Sequence, residues 1–264
     1  MQIKNLPIIM LAAGLSERFD TEHRQIHKSM LNLYQDYSIF DFIVEGLINC
    51  GVLDFWVILG YKYEKFAHYI KTREFYRLNK IAISVIRADA TYLNGPVYTL
   101  LSAFSYLSAL PNNKFMVIPS DTIFHRSLSS QIYSEYIASE ENSCMIFTLS
   151  IDEEKQRQYD KWLDFHPHKI DKESVFFQES EDRVVIPLII LSQAFLQFIK
   201  NQSNCISGNI WSNLENYYKK THLVREIQLP YSGDLPPFID IDNSLIYNKV
   251  HNLKANVLEQ YKVK

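Results

Sequence analysis

The residues of this chain best equipped for chemistry are Arg18, Lys28 and Asp121, with Asp240 and Asp242 near its end. Two cations and three carboxylates suit a reaction on phosphates. Arginine presents a planar fork to oxyanions and lysine a point charge, while one or two carboxylates can hold Mg²⁺ against phosphate oxygens. The cations follow an apolar run, Pro7-Ile8-Ile9-Met10-Leu11, that breaks at Ala12-Ala13-Gly14 and continues as Leu15-Ser16-Glu17-Arg18. Small residues let backbone N–H groups come close to a ligand, and successive N–H groups in such a turn form an anion-binding concavity. The unit suits a triphosphate.

Asp121 follows a second apolar run, Phe115-Met116-Val117-Ile118-Pro119, after one serine. It lies six residues before the helical pattern that starts near Ser127, too far to cap it. Phe238-Ile239-Asp240-Ile241-Asp242-Asn243 alternates like a strand, which places Asp240 and Asp242 on one face; Asp242 or Asn243 also fits as the cap of a closing helix. Of the seven glycines, Gly51 suits a helix C-cap and Gly60 a strand end, whereas Gly14 and Gly95 fall in loops expected to face ligand. His166-Pro167-His168 lacks a third metal ligand nearby. Tyr92, Tyr98, Phe104 and Tyr106 recur near helical spacing and read as core, with Tyr98 alone beside a candidate loop. Lys62 and Arg183 are further candidates for contact with an acceptor.

These residues need a frame to bring them together. Strands are expected at Pro7–Ala12, Phe55–Leu59, Ile81–Ile86, Phe115–Pro119 and Cys144–Leu149. Helical patterns lie between them at Ile39–Asn49, Glu64–Thr72, Pro96–Ser108 and Ser127–Ala138. That alternation predicts an α/β fold, a mainly parallel sheet covered on both faces. Ligands of such sheets bind at the carboxyl ends of strands, so Gly14 and Asp121 fall on one rim. The second half is less regular. Asp152–Lys172 reads as a loop or insertion over the site, and Val184–Leu191 as a strand in which Pro187 implies an edge or a bulge. Ser192–Lys200 and Gly208–Lys220 read as helices, Leu223–Gln228 as a strand, and Ser244 to about Gln260 as a closing helix.

Composition narrows the class. With 264 residues, 47% of them hydrophobic, there is ample material for a core. A net charge of −3 with intermixed signs leaves no footprint for nucleic acid. Apolar runs reach only about ten residues, against roughly 20 for a membrane span. Met1 to Gly14 could be taken for a secretory signal, but one lysine precedes the apolar stretch and the three cysteines are odd and scattered. A cytoplasmic location is expected.

The Leu11-Ala12-Ala13-Gly14-Leu15-Ser16-Glu17-Arg18 loop, the downstream Lys28, the lone Asp121 and Asp240-Ile241-Asp242 before a helix resemble, in this order, the motifs of sugar-phosphate nucleotidyltransferases of the pyrophosphorylase type. Gly60-Tyr61-Lys62-Tyr63-Glu64-Lys65 resembles a segment of phosphocholine and sugar-1-phosphate members. Asn94-Gly95-Pro96-Val97-Tyr98-Thr99-Leu100 is similar to a loop of choline- and inositol-phosphate cytidylyltransferases. The resemblance covers residues 7–125 well and 236–250 moderately.

The resemblance implies a three-layer α/β/α, Rossmann-like (GT-A-like) fold with a mixed, mostly parallel sheet. It implies a Mg²⁺-dependent transfer of a nucleoside monophosphate from an NTP, preferably CTP, to a small phosphorylated alcohol or sugar 1-phosphate, with release of pyrophosphate. Leu11, Ala12, Ala13 and Gly14 would line base and ribose through backbone atoms, with Ser16 also counted among the nucleotide-binding residues. Arg18 and Lys28 would hold the triphosphate, with Lys28 on the α-phosphate, and Asn94 and Gly95 would border the base, with Tyr98 beside that loop. Asp121 and Asp242 would hold Mg²⁺, with Asp240 nearby. One domain, 1–264, is expected, with a nucleotide half (1–150), an acceptor half (151–235) and a closing metal-site strand and helix (236–264); a homodimer stays open. Three departures stand out: His27 replaces the usual proline, Ser120 a frequent glycine, and Val184–Leu191 lacks the glycine and asparagine of the acceptor strand. A glycosyltransferase of similar fold is the alternative enzyme, though it would place Asp-x-Asp where this chain has Pro119-Ser120-Asp121. A non-catalytic nucleotide-sensing relative is the other alternative, and it has less need of Lys28, Asp121 and Asp242 together.

Overall fold

The computed structural model describes residues 7–139, 142–163, 183–202 and 206–261. The chain opens with β1 (Ile8–Ala12), a hairpin of β2 (Asn32–Tyr34) and β3 (Tyr37–Ser38), and α1 (Ile39–Ile48). There follow β4 (Asp54–Leu59), α2 (Tyr63–Thr72), α3 (Glu74–Leu78), β5 (Ala82–Arg87), α4 (Pro96–Ser102), α5 (Phe104–Leu107) and β6 (Lys114–Pro119). Next come β7 (Thr122–Phe124), α6 (Arg126–Ala138), β8 (Cys144–Ser150), α7 (Glu153–Leu163), β9 (Arg183–Ser192) and α8 (Gln193–Asn201). The chain closes with α9 (Ile210–Thr221), β10 (Val224–Gln228), β11 (Phe238–Asp240), α10 (Ser244–His251) and α11 (Ala255–Leu258).

Seven strands form one sheet in the order β10-β8-β9-β6-β1-β4-β5. All neighbours run parallel except β9, which is antiparallel to both β6 and β8. Helices cover both faces, which is why β1, β4 and β6 read as unbroken apolar runs. One apolar layer joins Met10, Val57 and Ile118 to Phe40 of α1 and Ile132 of α6. The other joins Ile9, Ile58 and Val117 to Val97 of α4, Phe195 of α8 and Leu214 of α9. The result is the expected three-layer α/β/α arrangement with a mixed, mostly parallel sheet.

Several elements differ from expectation. Pro187 does not lie at an edge, because β9 sits between β8 and β6. The register there slips between Ile146↔Ile189 and Thr148↔Val185, so Pro187 occupies a bulge, where its missing N–H breaks no ladder bond. The charged segment from Asp152 is not a loop throughout: α7 spans Glu153–Leu163, holding buried Tyr159 whose hydroxyl donates to the Gly233 carbonyl at 2.9 Å. Its remainder, with His166 and His168, lies outside the described residues. Pro96–Ser108 breaks at Ala103 into two helices, and the closing helix breaks between His251 and Ala255. Tyr106 is exposed rather than core.

Candidate active site

The loops after β1, β4 and β6 meet on the carboxyl rim of the sheet and are tied by backbone bonds. Ser120 N–H donates to the Leu11 carbonyl and Tyr61 N–H to the Ala13 carbonyl, each at 3.2 Å. Ala12 and Ala13 are buried, and Gly14 is exposed with open space where a Cβ would stand. Ser16 adopts the left-handed conformation (φ 57°), and its buried Oγ has no hydrogen-bond partner among the described residues. The loop is anchored by Phe19, which packs on Tyr247 of α10, and by Asp20 N–H, which donates to Ser244 Oγ at 2.8 Å. Through these contacts the end of the chain fixes the position of its first loop.

Lys28 begins a short 3-10 turn, and its ammonium bonds the Asp121 carboxylate. Burial pulls the lysine pKa down, but Asp121, with Asp240 and Asp242 behind it, outweighs that effect and the net shift is upward. Ser29 Oγ donates to Ser120 Oγ at 2.9 Å, joining the lysine turn to the aspartate turn. Sequence reasoning missed this serine pair. Its only signal was that each serine adjoins a charged candidate.

His27, where the resemblance expects proline, has φ −68°, an angle proline also takes. Its ring is fully buried and stacks on Phe66 at 4.8 Å, and Nδ1 accepts from Ser29 N–H at 3.2 Å. Burial, then the neighbouring Lys28 charge, push its pKa down to about 4. The Ala12 carbonyl opposes that shift, although Nε2 makes no well-aligned hydrogen bond.

β11 pairs with β7, placing Asp240 opposite Thr122, the residue after Asp121. The strand stops at Asp240, so Asp242 reaches the cluster from the following turn rather than by strand alternation. Asn243, not Asp242, caps α10: its side chain accepts from Ile246 N–H at 2.9 Å. Enclosure by protein, then the Asp121 and Asp242 charges, push the Asp240 pKa up to about 7. Part of the Asp240 residue still reaches solvent, and the Asp121 and Asp242 carboxylates act on it from within the cluster. Arg18 pairs with Asp242. Its side chain is 73% exposed, so the pair adds little to stability.

On the base side, Asn94 is exposed and Gly95 precedes α4. Gly95 has φ +121°, and a Cβ there would stand 2.8 Å from the Gly208 carbonyl oxygen. The positive φ and the contact with the segment before α9 both require glycine here. Tyr98 is half-buried, with its hydroxyl donating to the Ile206 carbonyl at 3.3 Å. Gly60 is a second close approach, because a Cβ would lie 2.9 Å from both Ala13 Cβ and the Tyr92 ring. Lys62 opens α2 in the left-handed conformation with its ammonium over the Tyr61 ring.

Among the described residues, no group of three or more His, Cys, Asp or Glu is arranged to hold a metal ion. Mg²⁺ needs only one or two carboxylates and completes its shell with water and phosphate oxygens, a requirement that Asp121 and Asp242 meet in ligand type. No helix among the described residues is long and apolar enough to cross a membrane.

Comparison with known proteins follows the same line. No curated protein sequence matches the chain. An inositol-1-phosphate CTP transferase from T. maritima is 12% identical, covering 97% of this chain and 94% of that one, with a TM-score of 0.68. UDP-glucose pyrophosphorylase in complex with UDP-glucose is 17% identical, covering 94% and 97%, with a TM-score of 0.66. HddC from Yersinia pseudotuberculosis in complex with GMP-PN is 18% identical, covering 93% and 98%, with a TM-score of 0.62. At these identities the likeness establishes the fold. The nucleotidyl transferase family pattern matches residues 7–160, more than half of the 264. The chain belongs to the nucleotidyl transferase family, enzymes that join the nucleotidyl group of an NTP to a phosphorylated acceptor with release of pyrophosphate.

Proposed function

We propose that this nucleotidyltransferase is Mg²⁺-dependent and uses CTP, with a phosphorylated alcohol or sugar 1-phosphate as acceptor. The observation that carries the reading is the meeting of Lys28 and Asp121 beside the Leu11–Arg18 loop. Residues 1–150 serve the nucleotide, 151–235 the acceptor, and 236–264 close the metal site. Asp121 and Asp242 hold Mg²⁺ with Asp240 beside them, and the ion supplies charge stabilisation to the phosphates. Leu11 to Gly14 and Ser16 offer backbone and hydroxyl groups to the nucleoside, and Asn94, Gly95 and Tyr98 border the base. Lys28 and Arg18 bind the triphosphate and stabilise charge on the departing pyrophosphate. An acceptor phosphate has a second pKa of about 6 and is already largely a dianion at neutral pH, so no general base is needed. Shielding two like-charged groups and holding them in line are the tasks left to the protein.

The preference for CTP rests on the Asn94–Leu100 segment. A pyrophosphate-release screen of four NTPs against phosphorylated sugars, polyols and amino alcohols, with Mg²⁺, tests the reading. We expect release with CTP above the other three triphosphates. Release with a different base overturns the CTP assignment, and release that survives chelation overturns the metal assignment.

A further inference from the structure

A second polar group lies on the same rim, away from the nucleotide loop. Glu226 of β10 accepts from Thr148 Oγ1 of β8 at 2.6 Å, and through both carboxylate oxygens from Arg183 Nη1 of β9 at 2.9 Å. Because β9 is antiparallel, Arg183 stands opposite Ser150 at the carboxyl end of β8, the edge on which Asp121 follows β6. Strand alternation sets the face. Ile146 and Val224, two residues before Thr148 and Glu226, belong to the apolar layer under α4 and α9, and Leu11 packs on that layer too. The trio therefore shares a sheet face with Leu11 at the start of the nucleotide loop.

Thr148 is fully buried, whereas Glu226 and Arg183 keep 19% and 27% of their side chains exposed. A partly buried ion pair at a sheet end adds little over apolar packing, so stability alone gives weak reason to keep it. Its remaining capacity is specific. Arg183 engages through Nη1 only, leaving Nε and Nη2 without partners among the described residues. The carboxylate has used three of about four lone-pair sites.

We propose that Arg183, Glu226 and Thr148 determine acceptor specificity, selecting a phosphate ester whose body is uncharged and carries neighbouring hydroxyls. This rests on the reading of the chain as transferring to a phosphorylated acceptor. A hydroxyl both donates and accepts, so two adjacent ones bridge the free guanidinium nitrogens and the remaining carboxylate lone pair. An ammonium group finds Glu226 already neutralised and Arg183 repelling it. Phosphorylated amino alcohols are thereby rejected.

Calorimetric titration tests this on the whole protein with Mg²⁺ and a non-hydrolysable CTP analogue bound. The probes are a hexose 1-phosphate, an inositol phosphate, phosphocholine and phosphoethanolamine. At least one hydroxylated ester should bind roughly tenfold or more tighter than either amino-alcohol ester. Glu226→Gln and Arg183→Gln should erase that preference while analogue binding and melting temperature hold; Thr148→Val, of similar shape, should weaken it. Equal or tighter binding of the amino-alcohol esters, a preference unchanged in the variants, or no binding of any ester overturns the proposal. Failure of the analogue itself to bind wild-type protein overturns the underlying reading as well, and that result is distinct because it precedes any acceptor titration.

Discussion

At the scale of single residues, Lys28 and His27 divide the work of one turn. Lys28 carries the charge that meets Asp121, and His27 fixes the turn by stacking on Phe66 and accepting from Ser29. If Lys28 binds the triphosphate, Lys28→Ala should weaken NTP binding far more than NMP binding in parallel titrations. Equal losses would remove that role. His27 carries a separate prediction. Its folded pKa of about 4 lies below the ordinary histidine value of 6.5, so between those values the unfolded chain binds the proton and the fold does not. The contribution is complete above pH 6.5 and is lost as pH falls toward 4, by on the order of 3 kcal/mol. Denaturant unfolding of wild type and His27→Gln across that window should show a flatter acid slope in the variant; parallel slopes would contradict the buried neutral imidazole.

Among the elements, the β4 end packs closely on the β1 loop. Gly60→Ala drives a Cβ against Ala13, which has no flexible tip to yield. The loop must move, at a cost of about 1–3 kcal/mol. KM for NTP should rise in this variant, and an unchanged KM with unchanged stability would show that the loop gives freely. The long elements were legible in the sequence: β1, β4 and β6 are doubly covered and so appear as apolar runs. Strands β2, β3 and β7 were not, since two or three residues carry no period, whereas β11 showed in the alternation from Phe238. Helix α7 was hidden because its face is largely charged, with Tyr159 its buried anchor. In the site, the order of Arg18, Lys28, Asp121 and Asp242 placed the candidates on one rim. Which cation meets which carboxylate was not legible, because those pairings span 93 and 224 positions.

For the molecule as a whole, the two ends of the chain build one centre: the first loop is seated on α10, and Asp242 at the end of the chain pairs with Arg18 near its start. Lys28–Asp121 and Arg18–Asp242 each couple a candidate phosphate ligand to a candidate metal ligand. Under the proposed roles, each lysine or arginine must exchange a carboxylate for phosphate, and each carboxylate must exchange a cation for Mg²⁺. The two guests are then thermodynamically linked, each vacating the other's seat, so the affinity for NTP rises with Mg²⁺ and reciprocally. Asp121→Asn breaks the link from one side. It should bind metal-free NTP more tightly than wild type, gain less from added Mg²⁺, and lose roughly 10²–10³ in turnover. Titrations with and without chelator measure all but the last, and identical metal-free affinities in the two proteins would refute the linkage. The pairings seen within the protein thus amount to a lock that opens only when both keys are turned together.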